Sequence, residues 1–266
     1  MKTEILSHFT TECPWRDTLY WYDTIDSTNT RAKQLAKEGA PNGTILVAGY
    51  QTGGRGRMGR DFSSPEGMGV YLSVVLRPNC TADQLMHLTC AAAVASCQAI
   101  KEVCGIFPDI KWTNDLVWQK RKLGGILTEL SLNSTTGLVD YAIVGIGINC
   151  NEKTEDFPPQ LQTIATSIRN ITGKLCSPAL LSAILVEKLY AMDALLFSNK
   201  DSIMDIYRSH CITLGKEIAI ISNNTVRYGT ALDLDSDGGL VIRFTEGIIQ
   251  TVTSGEVSVR GMYGYL

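Results

Sequence analysis

Eight residues from Gly53 to Arg60, Gly-Gly-Arg-Gly-Arg-Met-Gly-Arg, hold three guanidinium groups and four glycines with no acid among them. Arginine presents a planar fork of donors that matches carboxylate or phosphate oxygens, and glycine lets main-chain N–H groups approach the same oxygens with no Cβ in the way. The chain as a whole is slightly acidic, with 24 Lys plus Arg against 27 Asp plus Glu. Its global charge therefore gives no attraction to nucleic acid or anionic membrane, and an anion site must be local. The ligand this run predicts is small, negatively charged and enclosed.

The spacing has known lookalikes, which the neighbouring residues separate. Gly54-x-Gly56-x-x-Gly59 matches a dinucleotide fingerprint, and residues 44–52 before it read as a strand. Such a fingerprint must open a helix and meet an acid about 20 residues on. Here Ser63-Ser64-Pro65 and Gly67-Met68-Gly69 break any helix, and Asn79 stands near the acid's place. Walker A spacing fails at Arg60-Asp61, where Lys-Ser/Thr is needed to hold phosphate and magnesium. A kinase glycine loop would lead into a strand, as this one does, but the chain has neither His-Arg-Asp nor Asp-Phe-Gly. An Arg-Gly loop gripping RNA or single-stranded DNA stays open from this run alone.

Three further clusters carry chemistry. Lys120-Arg121-Lys122 precedes Leu123-Gly124-Gly125-Ile126-Leu127, so that two positive loops would face one phosphate chain. Lys111-Trp112-Thr113-Asn114-Asp115 places a lysine, an aromatic plane, an amide and a carboxylate side by side. Gly145-Ile146-Gly147-Ile148-Asn149 ends a buried strand in glycines and then an amide, which would admit a base or ribose closely. The eight cysteines form no CxxC pair, which argues against zinc. Cys90, Cys97 and Cys104 recur every seven residues and read as small core residues on one apolar stripe. His8, His87 and His210 lie in unrelated segments and support neither a zinc triad nor a Ser-His-Asp arrangement; His87 is expected on the outer or packed face of its helix.

The elements that must position these groups follow from punctuation and periodicity. Residues 19–23 read as a strand, and Asp26-Ser27-Thr28-Asn29 supplies capping side chains, exposed at the start of a helix that stops at Gly39. Strand 44–52 leads into the Arg-Gly loop and strand 69–77 leaves it. Thr81-x-x-Gln84 is a capping box that opens the longest helix, 82–104, closed by Gly105. Short strands at 110–112 and 116–118 flank the turn Asn114-Asp115, and strands 125–132 and 138–149 form a hairpin. Ser177-Pro178 starts a helix that runs to Phe197. Beyond Ser209, short strands at 217–221, 225–233, 240–245, 248–253 and 257–259 predict a small β-barrel. The fold class is α+β: a mixed sheet flanked by helices over residues 1–209, then a barrel domain over 210–266. The 266 residues, 44% of them apolar, suffice for one large core and a smaller companion. The start, MKTEILSHFTTECPW, lacks the apolar core of a secretory signal, and no apolar run reaches spanning length, so a cytoplasmic protein is expected.

Taken in order, Ser27-Thr28-Asn29, Gly54 to Arg60, Lys111 to Asp115, Lys122 to Leu127 and Gly145 to Asn149 resemble the motifs of biotin protein ligases, also called biotin–[acetyl-CoA-carboxylase] ligases. In that family they read Ser-Thr-Asn, Gly-Arg-Gly-Arg-x-Gly-Arg, Lys-Trp-Pro-Asn-Asp, Lys-Leu-x-Gly-Ile-Leu and Gly-x-Gly-Ile-Asn. The terminal barrel takes the place of the family's SH3-like domain. The resemblance implies that biotin and ATP give biotinyl-5′-adenylate and pyrophosphate, and that a lysine of a biotin carboxyl carrier protein then takes the biotinyl group. No enzyme nucleophile is needed; the protein supplies position and positive charge.

The resemblance also implies roles. Ser27, Thr28, Asn29, Gln51, Gly54, Arg55, Gly56, Arg57, Trp112 and Lys122 would bind biotin, and Arg57, Arg60, Phe62, Lys111, Asn114, Lys122 and Asn149 would bind ATP. Lys122 and Arg57 would be catalytic, with Lys122 between the biotin carboxylate and the α-phosphate, and Asp115 would help place Mg2+. Thr113 stands at the family's proline, and Phe62 where tryptophan is common. Few residues precede the first strand, so the operator-binding winged helix of some members is not expected, nor is DNA or a membrane as a partner; a homodimer is compatible. Two other readings stay open: an acyl-adenylating enzyme like lipoate-protein ligase, and an RNA-binding module using the Arg-Gly loop.

Overall fold

The computed structural model describes residues 1–9, 12–222, 225–253 and 255–259; residues 260–266 of the expected second domain lie outside them. Helix α1 (Lys2–Ser7) and a 3-10 turn (Pro14–Thr18) lead into β1 (Leu19–Ile25), α2 (Thr28–Lys37) and β2 (Thr44–Gln51). β1 and β2 run parallel, since α2 crosses between them. Then come β3 (Gly69–Leu76), α3 (Leu88–Cys104), β4 (Asp109–Lys111), β5 (Asp115–Trp118), β6 (Arg121–Leu132) and β7 (Val139–Asn149). Together the strands form a seven-stranded sheet in the order β1-β2-β3-β7-β6-β5-β4. Helices α4 (Ile168–Thr172), α5 (Pro178–Leu195) and α6 (Lys200–His210) follow.

The sheet is buried on both faces at its centre, and the period of two in its strands sorts side chains between two cores. Ile45, Val47, Val74 and Val144 pack with α3 and α5, whereas Leu46, Val75 and Ile143 join Ala32 and Ala36 of α2. This explains why β3 reads as a near-continuous apolar run, buried at every position.

A second, antiparallel sheet holds β8 (Glu217–Ser222), β9 (Thr225–Leu234), β10 (Leu240–Phe244), β11 (Ile249–Val252) and β12 (Glu256–Val259), in the order β11-β10-β9-β8-β12. The expected strands are all present, but among the described residues the sheet does not close: β11 and β12 are four residues each, and no ladder joins them. Ile218, Leu240, Ile242 and Phe244 share one apolar core with α3, α5 and the large sheet.

Several sequence expectations are corrected. Thr81 and Gln84 do bond, the Thr81 amide to Oε1 at 3.0 Å, but they precede a 3-10 turn, Asp83–Leu85; α3 starts at Leu88 and, at 17 residues, is shorter than α5 at 18. Ser27, Thr28 and Asn29 are buried rather than exposed. Helices α1, α4 and α6 were not foreseen; α1 and α4 bury one residue each, whereas α6 was legible in Ile203, Met204 and Tyr207, spaced as one helical face. Cys90 and Cys97 are buried on α3 and Cys104 is half-buried, as the seven-residue stripe predicted. His87 is buried, its Nε2 2.8 Å from the Leu196 carbonyl. Among the described residues no helix is long and apolar enough to cross a membrane.

Candidate active site

A cleft of about 410 Å³ opens over the β3–β7–β6 part of the large sheet, a size suited to a small organic ligand. Its lining includes Ser27, Thr28, Asn29, Gln51, Arg55, Gly56, Arg57, Arg60, Phe62, Lys111, Trp112, Asn114, Asp115, Lys122 and Asn149, every predicted site residue but Gly54. Arg55, Arg57, Arg60, Lys111 and Lys122 face two lining carboxylates, Asp61 and Asp115. A local excess of positive charge thus sits inside an acidic chain, as an anion site requires.

The Arg-Gly run is a tight hairpin. Gly56 N–H donates to the Arg60 carbonyl (2.7 Å), Phe62 N–H to the Gly54 carbonyl (2.9 Å), and Arg55 pairs with Asp61. Met58, at its tip, has φ of 56° and is 67% exposed. Gly54 does not face the cleft: a Cβ there would lie 2.4 Å from the Phe62 carbonyl oxygen, so its glycine serves the hairpin's own backbone. Arg57 reaches across. Its Nη1 donates to Thr113 Oγ1 (2.8 Å) and Asn114 Oδ1 (2.9 Å), and its Nη2 to the Gly255 carbonyl (3.0 Å).

The second basic run divides. Gln119 and Lys120 form the two-residue β5–β6 turn with φ of 46° and 71°, the left-handed pair that a tight hairpin demands. That turn carries Lys120 and Arg121 to the surface, and neither lines the cleft; the expectation of a whole cationic loop facing phosphate reduces to Lys122. Lys122 Nζ meets Asp115 Oδ1 at 2.6 Å. Its backbone is held on both sides, N–H to the Ile164 carbonyl and C=O from the Thr166 amide, each 2.8 Å. Asn114 is fixed against β6 by its Nδ2 to the Ile126 carbonyl (2.9 Å). Trp112, joined to Thr113 by a cis peptide, sends its Nε1 to the Gly238 carbonyl (2.8 Å) in the β9–β10 turn.

Opposite stands a wall of neutral polar groups. Gln51 Oε1 accepts from the Thr28 amide (2.8 Å) and lies 3.1 Å from Thr28 Oγ1; its Nε2 donates to Ser64 Oγ (2.9 Å), which donates to the Phe62 carbonyl (3.0 Å). Ser73 Oγ lies 2.8 Å from Thr28 Oγ1 and 2.6 Å from Asn29 Oδ1. Asn29 Nδ2 donates to the Leu127 carbonyl (3.3 Å) and to Glu129 Oε2 (3.0 Å), while Glu129 Oε1 holds Lys33 Nζ at 2.7 Å. Burial pulls the Glu129 carboxyl up, but hydrogen bonds from Lys33 and Asn29 and the charges of Lys33 and Arg55 outweigh it and hold the group below its usual value. The Ser27 side chain caps no backbone group of α2.

The glycines of β7 were expected to admit a base or ribose; they admit the protein's own side chains. A Cβ on Gly145 would lie 1.9 Å from Asn29 Oδ1, and one on Gly147 2.5 Å from the Phe62 ring. Asn149 is buried with its Nδ2 on the Thr166 carbonyl (3.0 Å). Sequence reasoning missed the segment after it, from which Phe157, Leu161, Ile164 and Ala165 line the cleft, and also Ser73 and Glu129 behind the wall. The segment's signal is weak because it acts through backbone bonds to Lys122; Glu129 was legible as an acid interrupting the apolar strand Gly125–Leu132.

Beyond Asn149, Glu152 is buried and neither carboxyl oxygen finds a hydrogen-bond partner of good geometry. Burial raises its pKa to about 7, and the backbone groups of Glu152, Asn151 and Cys150 offset that only in part.

Residues 21–149 match the biotin/lipoate A/B protein ligase family, and residues 213–260 match the biotin protein ligase C terminal domain. The bifunctional ligase/repressor BirA of Bacillus subtilis is 37% identical over 251 residues, 93% of this chain and 73% of that protein. The biotin–[acetyl-CoA-carboxylase] ligase of Paracoccus denitrificans is 30% identical over 89% of this chain and 98% of its own length. Among solved structures, the biotin protein ligase from Aquifex aeolicus in complex with biotin and ATP superposes with a TM-score of 0.76 at 31% identity, covering 91% of this chain and 98% of that one.

Proposed function

Because the chain belongs to the biotin/lipoate A/B protein ligase family, we propose that this cleft joins biotin to AMP from ATP and hands the biotinyl group to a carrier lysine. The protein is a biotin protein ligase, an ATP-dependent enzyme that forms C–N bonds. The observation that carries the assignment is the meeting of Arg57 and Lys122, distant in sequence, in one cleft with the neutral wall of Thr28 and Gln51.

The first step is attack of the biotin carboxylate oxygen on the α-phosphorus, with pyrophosphate leaving. Negative charge gathers on the phosphoryl oxygens there, and fixed cations that need not reorganise stabilise it. Lys122 suits this role because its backbone is pinned by Ile164 and Thr166 and its ammonium is steadied by Asp115. Arg57, Arg55 and Arg60 would close over the carboxylate and phosphates, with Lys111 and Asn114 behind them. Phe62 and Asn149 would cover the adenosine, and Ser27, Thr28, Gln51 and Trp112 the ring of biotin. In the second step the carrier's lysine nitrogen attacks the acyl carbon, and the C–O bond electrons leave with AMP.

Magnesium fits as a companion of ATP rather than as a resident ion. Among the described residues no three acidic, histidine or cysteine side chains are placed to hold a metal ion, and Mg2+ commonly rests on one or two carboxylates plus substrate phosphates. Asp115 would be its protein ligand. A biotin carboxyl carrier protein is the proposed acceptor, and residues 1–209 and 210–266 the proposed catalytic and terminal domains. Biotin-dependent exchange of labelled pyrophosphate into ATP tests the reading: it is expected with biotin and absent with lipoate, and the reverse result would assign the chain to lipoate chemistry.

A further inference from the structure

Behind the neutral wall, the hydrogen-bond chain has a direction, and one residue outside the cleft fixes it. A carboxylate only accepts hydrogen bonds. Glu129, two residues after Leu127 on β6, therefore obliges Asn29 to turn its NH2 outward, to Glu129 Oε2 at 3.0 Å with the longer 3.3 Å bond to the Leu127 carbonyl beside it, and its oxygen inward to Ser73. Gly145 pairs with both Ser73 and Leu127, and its bare Cα is what lets the Asn29 amide lie between them. Ser73 has a single proton, and at 2.6 Å it goes to Asn29 Oδ1. It then has none for Thr28, 2.8 Å away, and the Thr28 proton points into the wall, to Gln51 Oε1. The Thr28 oxygen is left with lone pairs that no wall hydroxyl serves, at the edge of the cleft.

We infer that Glu129, which does not touch the ligand, is a positioning residue that makes Thr28 a hydrogen-bond acceptor reserved for an N–H of the substrate. This rests on the biotin reading, since the cyclic urea of biotin offers such N–H groups. If Asn29 turned over, Ser73 would be free to donate to Thr28 and would compete with the substrate for the same oxygen. Glutamine at 129 permits that turn: it has one oxygen for two donors, Lys33 and Asn29, the Lys33 ammonium takes it, and only the long 3.3 Å bond to the Leu127 carbonyl is left to oppose the turn.

Isothermal titration of biotin into the intact protein and its variants tests the idea. Glu129→Gln is expected to weaken biotin binding about tenfold, the worth of one net hydrogen bond, with ATP binding unchanged. Lys33→Met, which removes the ion pair but keeps the acceptor, binds biotin as the wild type does. Adding Ser73→Ala to Glu129→Gln removes the competing donor and restores affinity, which a merely structural loss would not do. Ser73→Ala alone keeps the wild-type constant, so the proposal stays testable even where Glu129→Gln does not fold. Wild-type affinity in Glu129→Gln, loss in Lys33→Met or in Ser73→Ala, or no rescue in the double variant would overturn the role of Glu129. Failure of the wild type to bind biotin would instead overturn the biotin reading itself.

Discussion

The two walls of the cleft use their polar groups in opposite ways. On the side of α2 and β2, Thr28, Asn29 and Gln51 lie on regular elements and are held by short bonds, to one another, to Ser64 of the following loop and to Ser73 of β3 behind them. On the side of the Arg-Gly hairpin and early β6, long cationic side chains reach neighbours from an exposed turn and from a partly exposed strand end. The first is a fixed surface whose donors and acceptors are decided before any ligand arrives. The second supplies charge. In the proposed reaction, recognition and catalysis are thereby separated in space, within one pocket.

The largest expected effect tests the cationic side. Lys122→Ala should lower the rate of adenylate formation by two to three orders of magnitude, about 2.7–4 kcal/mol for one preorganised donor, while biotin affinity falls far less; single-turnover kinetics beside biotin titration would show whether the separation holds. Next comes Glu152, whose folded pKa of about 7 stands above the ordinary glutamate value of 4.5. The unfolded chain sheds this proton first, so stability from this group falls as pH rises from about 4.5 through 7. Glu152→Gln should leave stability unchanged near pH 4 and raise it by about 2–3 kcal/mol at pH 8, as read from urea midpoints at the two values. That would mark the segment after Asn149 as a place where buried polar groups are left unmatched, in contrast to the paired groups of the wall. The smallest effect belongs to the support behind the fixed wall: Ser73→Ala should lower stability by about 1–2 kcal/mol through the orphaned Asn29 oxygen, measured by urea denaturation, with adenylation rate unaltered.

Much of this cleft was legible in the sequence because its parts are local. The glycines and arginines of the 53–60 run need each other within one hairpin, and Lys111 to Asp115 crosses a single turn. What was misread depends on distant partners. Ser27-Thr28-Asn29 looks like any exposed helix cap until β3 and β6 close over it. The 81–84 capping box is locally sound yet serves a 3-10 turn, since α3 begins only at Leu88. Phe157 to Ala165 has no periodicity, and its bond to Lys122 spans some forty residues of sequence, so no local pattern announces it. Gly145 and Gly147 were rightly read as points of close approach, but the sequence does not say what approaches.

Those two glycines have a further meaning. One receives Asn29 from the fixed wall and the other Phe62 from the hairpin's base, two residues apart on the same face of β7. Two residues of strand measure about 7 Å, so the strand acts as a gauge that sets how far apart the two sides stand. Loop length plays no part in that spacing. Extra residues spliced in at the Met58 tip would make the hairpin longer without making the groove wider.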